Sequence, residues 1–167
     1  QKRYLEGFMS GVKIGRLGPR APIEAPTARA DAEPVGPDAA GIRAQDRFLR
    51  DGKKLSDPEK FKREQHPFDG YERLKEQARN NVPPPPADNF RWRFYGLFYV
   101  APAQNSYMCR LRIPNGILKA WQFAGVADLA ETLGGGYSHV TTRANLQVRE
   151  ISAENGAAFL EGLADLG

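Results

Sequence analysis

The sequence predicts an α+β protein in which a helical N-terminal extension and a long linker precede a unit of alternating strands and helices. Three observations support this fold class. Residues 1–16 carry apolar side chains at helical spacing, and residues 17–37 hold five prolines among few large apolar residues. After residue 90, strand patterns and helix patterns alternate. We therefore divide the chain into residues 1–89, a helical extension with Pro-rich linkers, and residues 90–167, a βαβ-type unit.

The first element follows from Leu5, Phe8, Met9 and Val12, which recur at i, i+3, i+4 and i+7. This spacing predicts a helix over residues 2–15 with one apolar stripe. The five prolines that follow leave too little apolar surface to offset the entropy of ordering the chain. We therefore expect residues 17–37 to be an extended linker without regular secondary structure.

Helices are expected to resume at residue 38. A helix over residues 38–52 has a thin apolar side made of Ile42, Phe48 and Leu49, and Gly52 is a typical stop. Ser56 or Asp57 can then cap a short helix.

Pro58 fits the first turn of that short helix. A further helix is expected over residues 69–80. Four consecutive prolines, Pro83 to Pro86, then predict a stiff polyproline spacer.

The second half begins with an aromatic stretch, Phe90 to Val100, which is interpreted as buried extended chain. A clear strand follows from Tyr107 to Ile113, and the sequence Pro114-Asn115-Gly116 predicts a turn. These elements supply the first strands of the predicted unit.

A helix is then marked by the apolar residues Leu118, Trp121, Ala124, Leu129 and Leu133. Three glycines, at residues 134–136, end it. Strand character returns over residues 138–151, and a last helix carries Phe159, Leu160, Leu163 and Leu166. Strand, helix, strand and helix over about 60 residues are typical of a βαβ-type α+β unit.

Composition excludes some classes of protein. No run approaches the roughly 20 apolar residues that cross a bilayer, so we expect no membrane partner and a cytoplasmic protein. The single cysteine, Cys109, cannot form an internal disulfide, and an iron–sulfur cluster usually takes four thiolates. No metal ligand is therefore assigned. The net charge of +4 does not by itself identify a partner.

Alternation along the two strands separates an apolar face from a basic face. Tyr107, Cys109, Leu111 and Ile113 share one side of the first strand, and Ala144, Leu146 and Val148 share one side of the second. The opposite sides carry arginines and amides but no carboxylate: Arg110, Arg112, Arg143, Asn145, Gln147 and Arg149. Such a set suits an anion. An exposed sheet face with surface ion pairs explains the same pattern equally well.

Two long motifs resemble siroheme-containing nitrite and sulfite reductases. They are YMCRLRIPNGILKAWQ at residues 107–122 and VTTRANLQVREI at residues 140–151. The upstream segments FRWRFYGLFY and QKRYLEGFMSGV resemble further parts of this family. The resemblance implies a ferredoxin-like half-domain at residues 90–167. It also implies that the complete enzyme couples siroheme to a [4Fe–4S] cluster and reduces nitrite to ammonia with six electrons from ferredoxin.

The resemblance also implies roles for individual residues. Arg110 matches the arginine that reaches the substrate anion, and Thr141, Arg143 and Gln147 match the stretch that lines siroheme. Arg112, Asn145 and Arg149 are expected to join the cofactor contacts, because siroheme carries eight carboxylates. The cluster cysteines of the family lie downstream of residue 167. We therefore expect the chain alone to be inactive and to bind neither cofactor, the missing C-terminal part being a required partner.

Three alternatives stay open. Sulfite reductases share the resemblance, although the Pro114-Asn115-Gly116 turn, the Thr141-Thr142-Arg143 run and Arg149 favour nitrite. A basic βαβ unit could instead be a nucleic-acid-binding module, but the outward strand positions lack the aromatic residues on which bases stack, so no nucleic acid is expected. The third alternative is a half-domain without a cofactor that acts only in assembly.

Overall fold

The computed structural model describes residues 34–101 and 105–167. The helix predicted over residues 2–15, and most of the linker predicted over residues 17–37, lie outside these ranges. The part of the linker that is described, residues 34–37, contains neither helix nor strand. Residues 40–167 form one compact unit.

Three predicted helices of the extension lie in the described residues, and the two with predicted bounds, 38–52 and 69–80, agree with the structure within two residues at each end. They are α1 (Ala39–Arg50), α2 (Asp57–Glu64) and α3 (Tyr71–Arg79). As predicted, Ser56 is the N-cap residue of α2 and a proline occupies its first turn. The apolar side expected for α1 is not buried, since Phe48 and Leu49 each stay 42% exposed.

The interpretation of Phe90 to Val100 as extended chain is wrong for residues 90–95 and correct for Leu97–Val100. The structure has a helix α4 (Pro86–Trp92), a 3-10 turn (Arg93–Tyr95), and only then the strand β1 (Leu97–Val100). Pro86 thus begins a helix, a position that suits proline, instead of ending the predicted spacer. The aromatic residues occur at helical spacing, since the rings of Phe90 and Phe94 meet edge to face at 5.7 Å.

A four-stranded sheet follows. After β1 come β2 (Ser106–Arg110), β3 (Ser138–Val140) and β4 (Leu146–Ile151), in the spatial order β1-β2-β4-β3 with antiparallel neighbours. The helices α5 (Ala120–Leu133) and α6 (Gly156–Asp165) complete the unit.

The predicted βαβ unit is present in split form. Both β2 and β3 run antiparallel to β4, so they are parallel to each other, with α5 as their crossover and β4 between them. This topology confirms that the two predicted strand regions share one sheet and that the helix packs across it. The α+β fold with a ferredoxin-like half-domain is therefore the architecture of the described chain.

The core lies between one face of the sheet and the helices. Strand residues Leu97, Tyr107 and Val148 are at most 1% exposed, and Phe159 of α6 is fully buried among them. Leu74 of α3 and Trp92 of α4 join the same cluster, so side chains from both sides of residue 89 share this core. The domain boundary between residues 89 and 90 stays a prediction. None of the helices described is long and apolar enough to cross a membrane.

A polar network holds α3 and α4 together beneath this core. The Asp88 carboxylate, only 4% exposed, accepts two hydrogen bonds from Arg73 at 2.9 and 2.7 Å. It accepts further bonds from Gln77 at 2.7 Å and Arg91 at 3.2 Å. Arg91 also donates to the Phe61 carbonyl oxygen of α2 at 3.0 Å. Because every lone-pair region of the carboxylate has a donor, this buried charge is well satisfied.

Candidate anion-binding site

A groove of about 720 Å³ opens at the C-terminal end of β2. Its lining contains no aspartate or glutamate side chain, and its arginines come from positions up to 50 residues apart in the sequence. The groove is lined by four arginines: Arg93, Arg110, Arg112 and Arg143. We call this feature the arginine groove.

Arg110 is the last residue of β2, and its backbone is held by the turn before β1. Its amide donates to the Gly96 carbonyl oxygen at 2.9 Å. Gly96 has φ of 89°, and a Cβ at this position would lie 2.8 Å from the Arg110 carbonyl oxygen. Glycine is therefore required twice here, by the left-handed conformation and by the close approach of the two backbones. The turn that carries Arg93 is thereby packed beside Arg110.

Arg112 and Arg143 reach the groove because two loops are joined to each other. The Asn145 Oδ1 accepts a hydrogen bond from the Ile113 amide at 2.7 Å. Near this bond, a Cβ on Gly116 would lie 2.8 Å from the Cβ of Ala144. The turn after β2 and the turn between β3 and β4 thus form one packed surface. Asn145 also lines the groove, but its amide oxygen is already used to join the loops.

Thr141 organises the turn between β3 and β4. Its Oγ1 accepts hydrogen bonds from the amides of Arg143 at 3.4 Å and Asn145 at 3.3 Å. The prediction that residues 143–149 form one alternating strand is wrong at its start, since residues 142–144 turn and Ala144 has φ of 53°. Arg143 therefore reaches the groove from a turn, and the alternation begins only at β4.

The first predicted strand is also shorter than expected. β2 ends at Arg110, although the chain stays attached to β4 by a bond from the Leu111 amide to the Leu146 carbonyl oxygen at 3.0 Å. Gln147 lies directly opposite Arg110 in the register of β2 and β4. Arg149 follows two positions along β4 and does not line the groove.

The charges of this region are not neutralised. Within residues 34–101 and 105–167, none of the five arginines at positions 93, 110, 112, 143 and 149 forms an ion pair or donates a side-chain hydrogen bond. The Nε of Arg149 is buried without a partner among the described residues. A buried donor without an acceptor destabilises a protein. By contrast, Arg73 and Arg91 both form ion pairs with Asp88.

These observations agree with the requirements of a ligand that carries several carboxylates. Guanidinium groups bind planar oxyanions through paired N–H donors. Because the groove contains no carboxylate side chain, no such group of the protein competes with an anionic ligand for these donors. The residues present therefore fit an anionic cofactor or substrate. An ordinary protein surface differs from the groove, because it mixes lysine with glutamate and so carries charges of both signs.

Cys109 is a residue of the hydrophobic core. It is 1% exposed, and burial raises the pKa of its thiol to about 12, so the thiol is neutral. Its side chain lies on the core face of β2, as alternation predicted. The described residues contain no group of three or more histidine, cysteine, aspartate or glutamate side chains that could hold a metal ion.

The groove also contains an arginine and an aromatic residue that are not among the site residues predicted from the sequence. Arg93 and Phe98 both belong to the aromatic stretch that was interpreted as extended chain. The spacing of Phe90 and Phe94, four residues apart, is the feature that indicates a helical turn and so places Arg93 on the outer side.

Comparison with known proteins finds similarity in the C-terminal part of the chain. Residues 101–166 match the nitrite/sulfite reductase ferredoxin-like half domain. The chain is 37% identical over 87 residues to a ferredoxin–nitrite reductase of Leptolyngbya laminosa, an alignment that covers 52% of this chain and 15% of that protein. A ferredoxin–nitrite reductase of Synechococcus elongatus is 37% identical over 78 residues, 46% of this chain and 15% of that protein.

A third relative aligns with more of the chain. The chloroplastic ferredoxin–nitrite reductase of Arabidopsis thaliana is 28% identical over 162 residues, which cover 88% of this chain and 27% of that protein. The chain therefore spans between about a seventh and about a quarter of the length of these three relatives.

Proposed function

We propose that the chain is the N-terminal part of a ferredoxin-dependent nitrite reductase, a proposal supported by the match of residues 101–166 to the nitrite/sulfite reductase ferredoxin-like half domain. The named relatives favour nitrite over sulfite, since all three are ferredoxin–nitrite reductases. In this proposal the complete protein is cytoplasmic, takes electrons from ferredoxin and converts nitrite to ammonia.

One observation carries the proposal, namely that the groove gathers four arginines without a single acidic side chain. Arg110 is proposed to donate hydrogen bonds to the oxygens of nitrite and to stabilise negative charge on them. Arg112, Arg143 and Arg149 are proposed to bind carboxylates of siroheme.

The other predicted residues are proposed to support the arginines. Thr141 and Asn145 fix the turn that carries Arg143, and Gln147 supplies an amide next to Arg110. When bound, siroheme with its [4Fe–4S] cluster supplies the electron transfer to the substrate. The thiolates of the cluster are proposed to come from outside these 167 residues, because the sequence contains one cysteine and Cys109 is buried.

The test uses Arg110→Ala in the complete enzyme. We expect nitrite turnover to fall by at least about 100-fold, the size of effect seen when a charge-stabilising donor is removed. The visible absorbance of siroheme should persist, because the proposed contact is to substrate. Full activity in this variant would remove Arg110 from the site.

A second measurement concerns the 167-residue chain alone. We expect it to reduce no nitrite and to lack the cluster even when folded, because one thiolate cannot hold a [4Fe–4S] cluster. Iron analysis and a visible spectrum decide the matter. Stoichiometric iron or a siroheme band in the isolated chain would contradict the proposal.

A further inference from the structure

Two of the groove arginines share one aromatic ring. The guanidinium carbon of Arg110 lies 4.7 Å from the centroid of the Phe98 ring, and that of Arg93 lies 5.8 Å from the same centroid. The two residues come from different elements, since Arg93 is in the 3-10 turn after α4 and Arg110 ends β2. Phe98 is the point at which these elements meet within the groove.

The geometry points to a role for this ring beyond packing. We propose that Phe98 is a positioning residue that holds the guanidinium groups of Arg93 and Arg110 together, so that Arg93 becomes an additional binding residue for planar oxyanions. This inference rests on the proposed function of the groove and adds to it two residues, Phe98 and Arg93.

The first argument concerns hydrogen-bond donors. A ring attracts a guanidinium through its π face without accepting its conventional hydrogen bonds. No described residue accepts a side-chain hydrogen bond from either Arg93 or Arg110. Each guanidinium is therefore held in place while its N–H donors stay available to an anion.

The second argument concerns charge and entropy. Both arginines are exposed, and two free cations would normally repel each other and lose rotamer freedom when they bind a ligand. Contact with the Phe98 ring already restricts both side chains in the unbound protein, so less rotamer freedom is lost when a ligand binds. The backbone bond from the Arg110 amide to the Gly96 carbonyl oxygen keeps the Arg93 turn next to β2, so the arrangement has a rigid base.

The test measures binding to the 167-residue chain with two probes. Uroporphyrin, a tetrapyrrole with eight carboxylates, is titrated by fluorescence anisotropy, and sodium nitrite is titrated by amide chemical shifts. We expect Phe98→Leu to weaken binding of at least one probe by about three- to tenfold, as loss of cation–π contacts predicts. The probe that responds identifies which oxyanion the pair binds.

Three further variants serve as controls. Phe98→Tyr keeps a ring and should retain binding within about twofold, which separates ring stacking from loss of the phenylalanine itself. Arg93→Ala should weaken the same probe as Phe98→Leu. Phe48→Leu removes a ring that lies 5.1 Å from the Nζ of Lys53, outside the groove, and should leave both affinities unchanged. Urea midpoints show whether each variant is folded.

The outcomes are separable. If Arg110→Ala loses binding while Phe98→Leu and Arg93→Ala bind like the unmodified chain, the inference is overturned and the proposed function stands. If the unmodified chain binds neither probe, the inference is overturned, whereas the proposed function, which expects the isolated chain to lack siroheme, is tested separately by Arg110→Ala in the complete enzyme.

Discussion

Replacing Asp88 should reveal how strongly the polar network beneath the core stabilises the chain. Asp88→Asn removes the charge that faces Arg73 and Arg91, and it places an amide nitrogen where a carboxylate oxygen accepts bonds. Arg91 suffers most, because its side chain is only 7% exposed and its Nε already lacks a partner among the described residues. Breaking a buried ion pair by removing one partner costs about 3–5 kcal/mol. We expect a loss of about this size in the free energy of unfolding.

The measurement is urea unfolding followed by tryptophan fluorescence. Trp92 is fully buried, and its Nε1 donates to Gln77, which is itself a partner of Asp88, so this indole reports directly on the network. The matched control is Asp57→Asn, which removes an exposed ion pair with Lys60 at 2.8 Å. An exposed pair contributes up to about 1 kcal/mol. If the two variants lose the same amount, the network does not stabilise the chain as argued.

The same network predicts a dependence on pH. Burial raises the pKa of the Asp88 carboxyl, but the hydrogen bonds from Arg73, Gln77 and Arg91 and the charge of Arg73 outweigh burial, so the net pKa is lowered. A carboxyl with a lowered folded pKa stabilises the protein above its unfolded pKa of about 3.9, and this stabilisation is lost as pH falls through the folded value. Asp88→Asn should therefore show a flatter loss of stability below about pH 4.

Three further results are expected. Gly96→Ala should lower the free energy of unfolding in urea by about 2–4 kcal/mol, since it adds a backbone clash to the cost of positive φ. Gly52→Ala, also at positive φ but with open space around its Cβ, should lose only about 1–2 kcal/mol, and equal losses would count against the clash. Asn145→Ala should lose about 1–3 kcal/mol in the same assay because the Ile113 amide loses its acceptor, whereas Asn145→Asp should retain most of the stability. Cys109 should resist a thiol reagent at pH 8 in the folded chain and react in urea, since burial raises its pKa to about 12, and rapid reaction without urea would show that the core face of β2 is open.

Much of the fold could be predicted from local patterns. The helix over residues 118–133 and its glycine stop follow from apolar period and capping preference, and the structure places α5 at Ala120–Leu133 with Gly134 as its C-cap residue. The first strand was recognisable because Cys109 and Leu111 alternate with two arginines. Such patterns are local, and they survive folding when tertiary contacts agree with them.

The errors have a common physical cause. Aromatic residues favour strands on average, but the rings from Phe90 to Tyr95 pack on α2, α3 and each other, and this packing stabilises a helix and a 3-10 turn. The turn over residues 142–144 was missed because its formation depends on the Thr141 hydroxyl and on contact with Gly116, which no local pattern reveals.

The candidate site was predicted in part for the same reasons. Alternation correctly placed Arg110 opposite the core, and the groove unites it with Arg112, Arg143 and Asn145. Arg93 was missed because the strand preference of the aromatic residues outweighed the helical spacing of Phe90 and Phe94, and its place beside Arg110 also depends on the turn at Gly96. Whether these residues bind the proposed ligands remains a prediction.

The position of β4 between β2 and β3 fixes the order in which the arginine groove can assemble. The hairpin of β3 and β4 is local and can form within about 1–10 μs, but the partner of Arg110 is Gln147, 37 residues later in the chain. During synthesis, therefore, the groove cannot exist until residue 151 has left the ribosome and the hairpin has added to the edge of β2. Until that step, the hydrogen-bonding edge of β2 is unpaired and open to pairing with another chain. The slow, non-local closure of the sheet and the meeting of the Arg110 and Arg143 sides of the groove are thus one event.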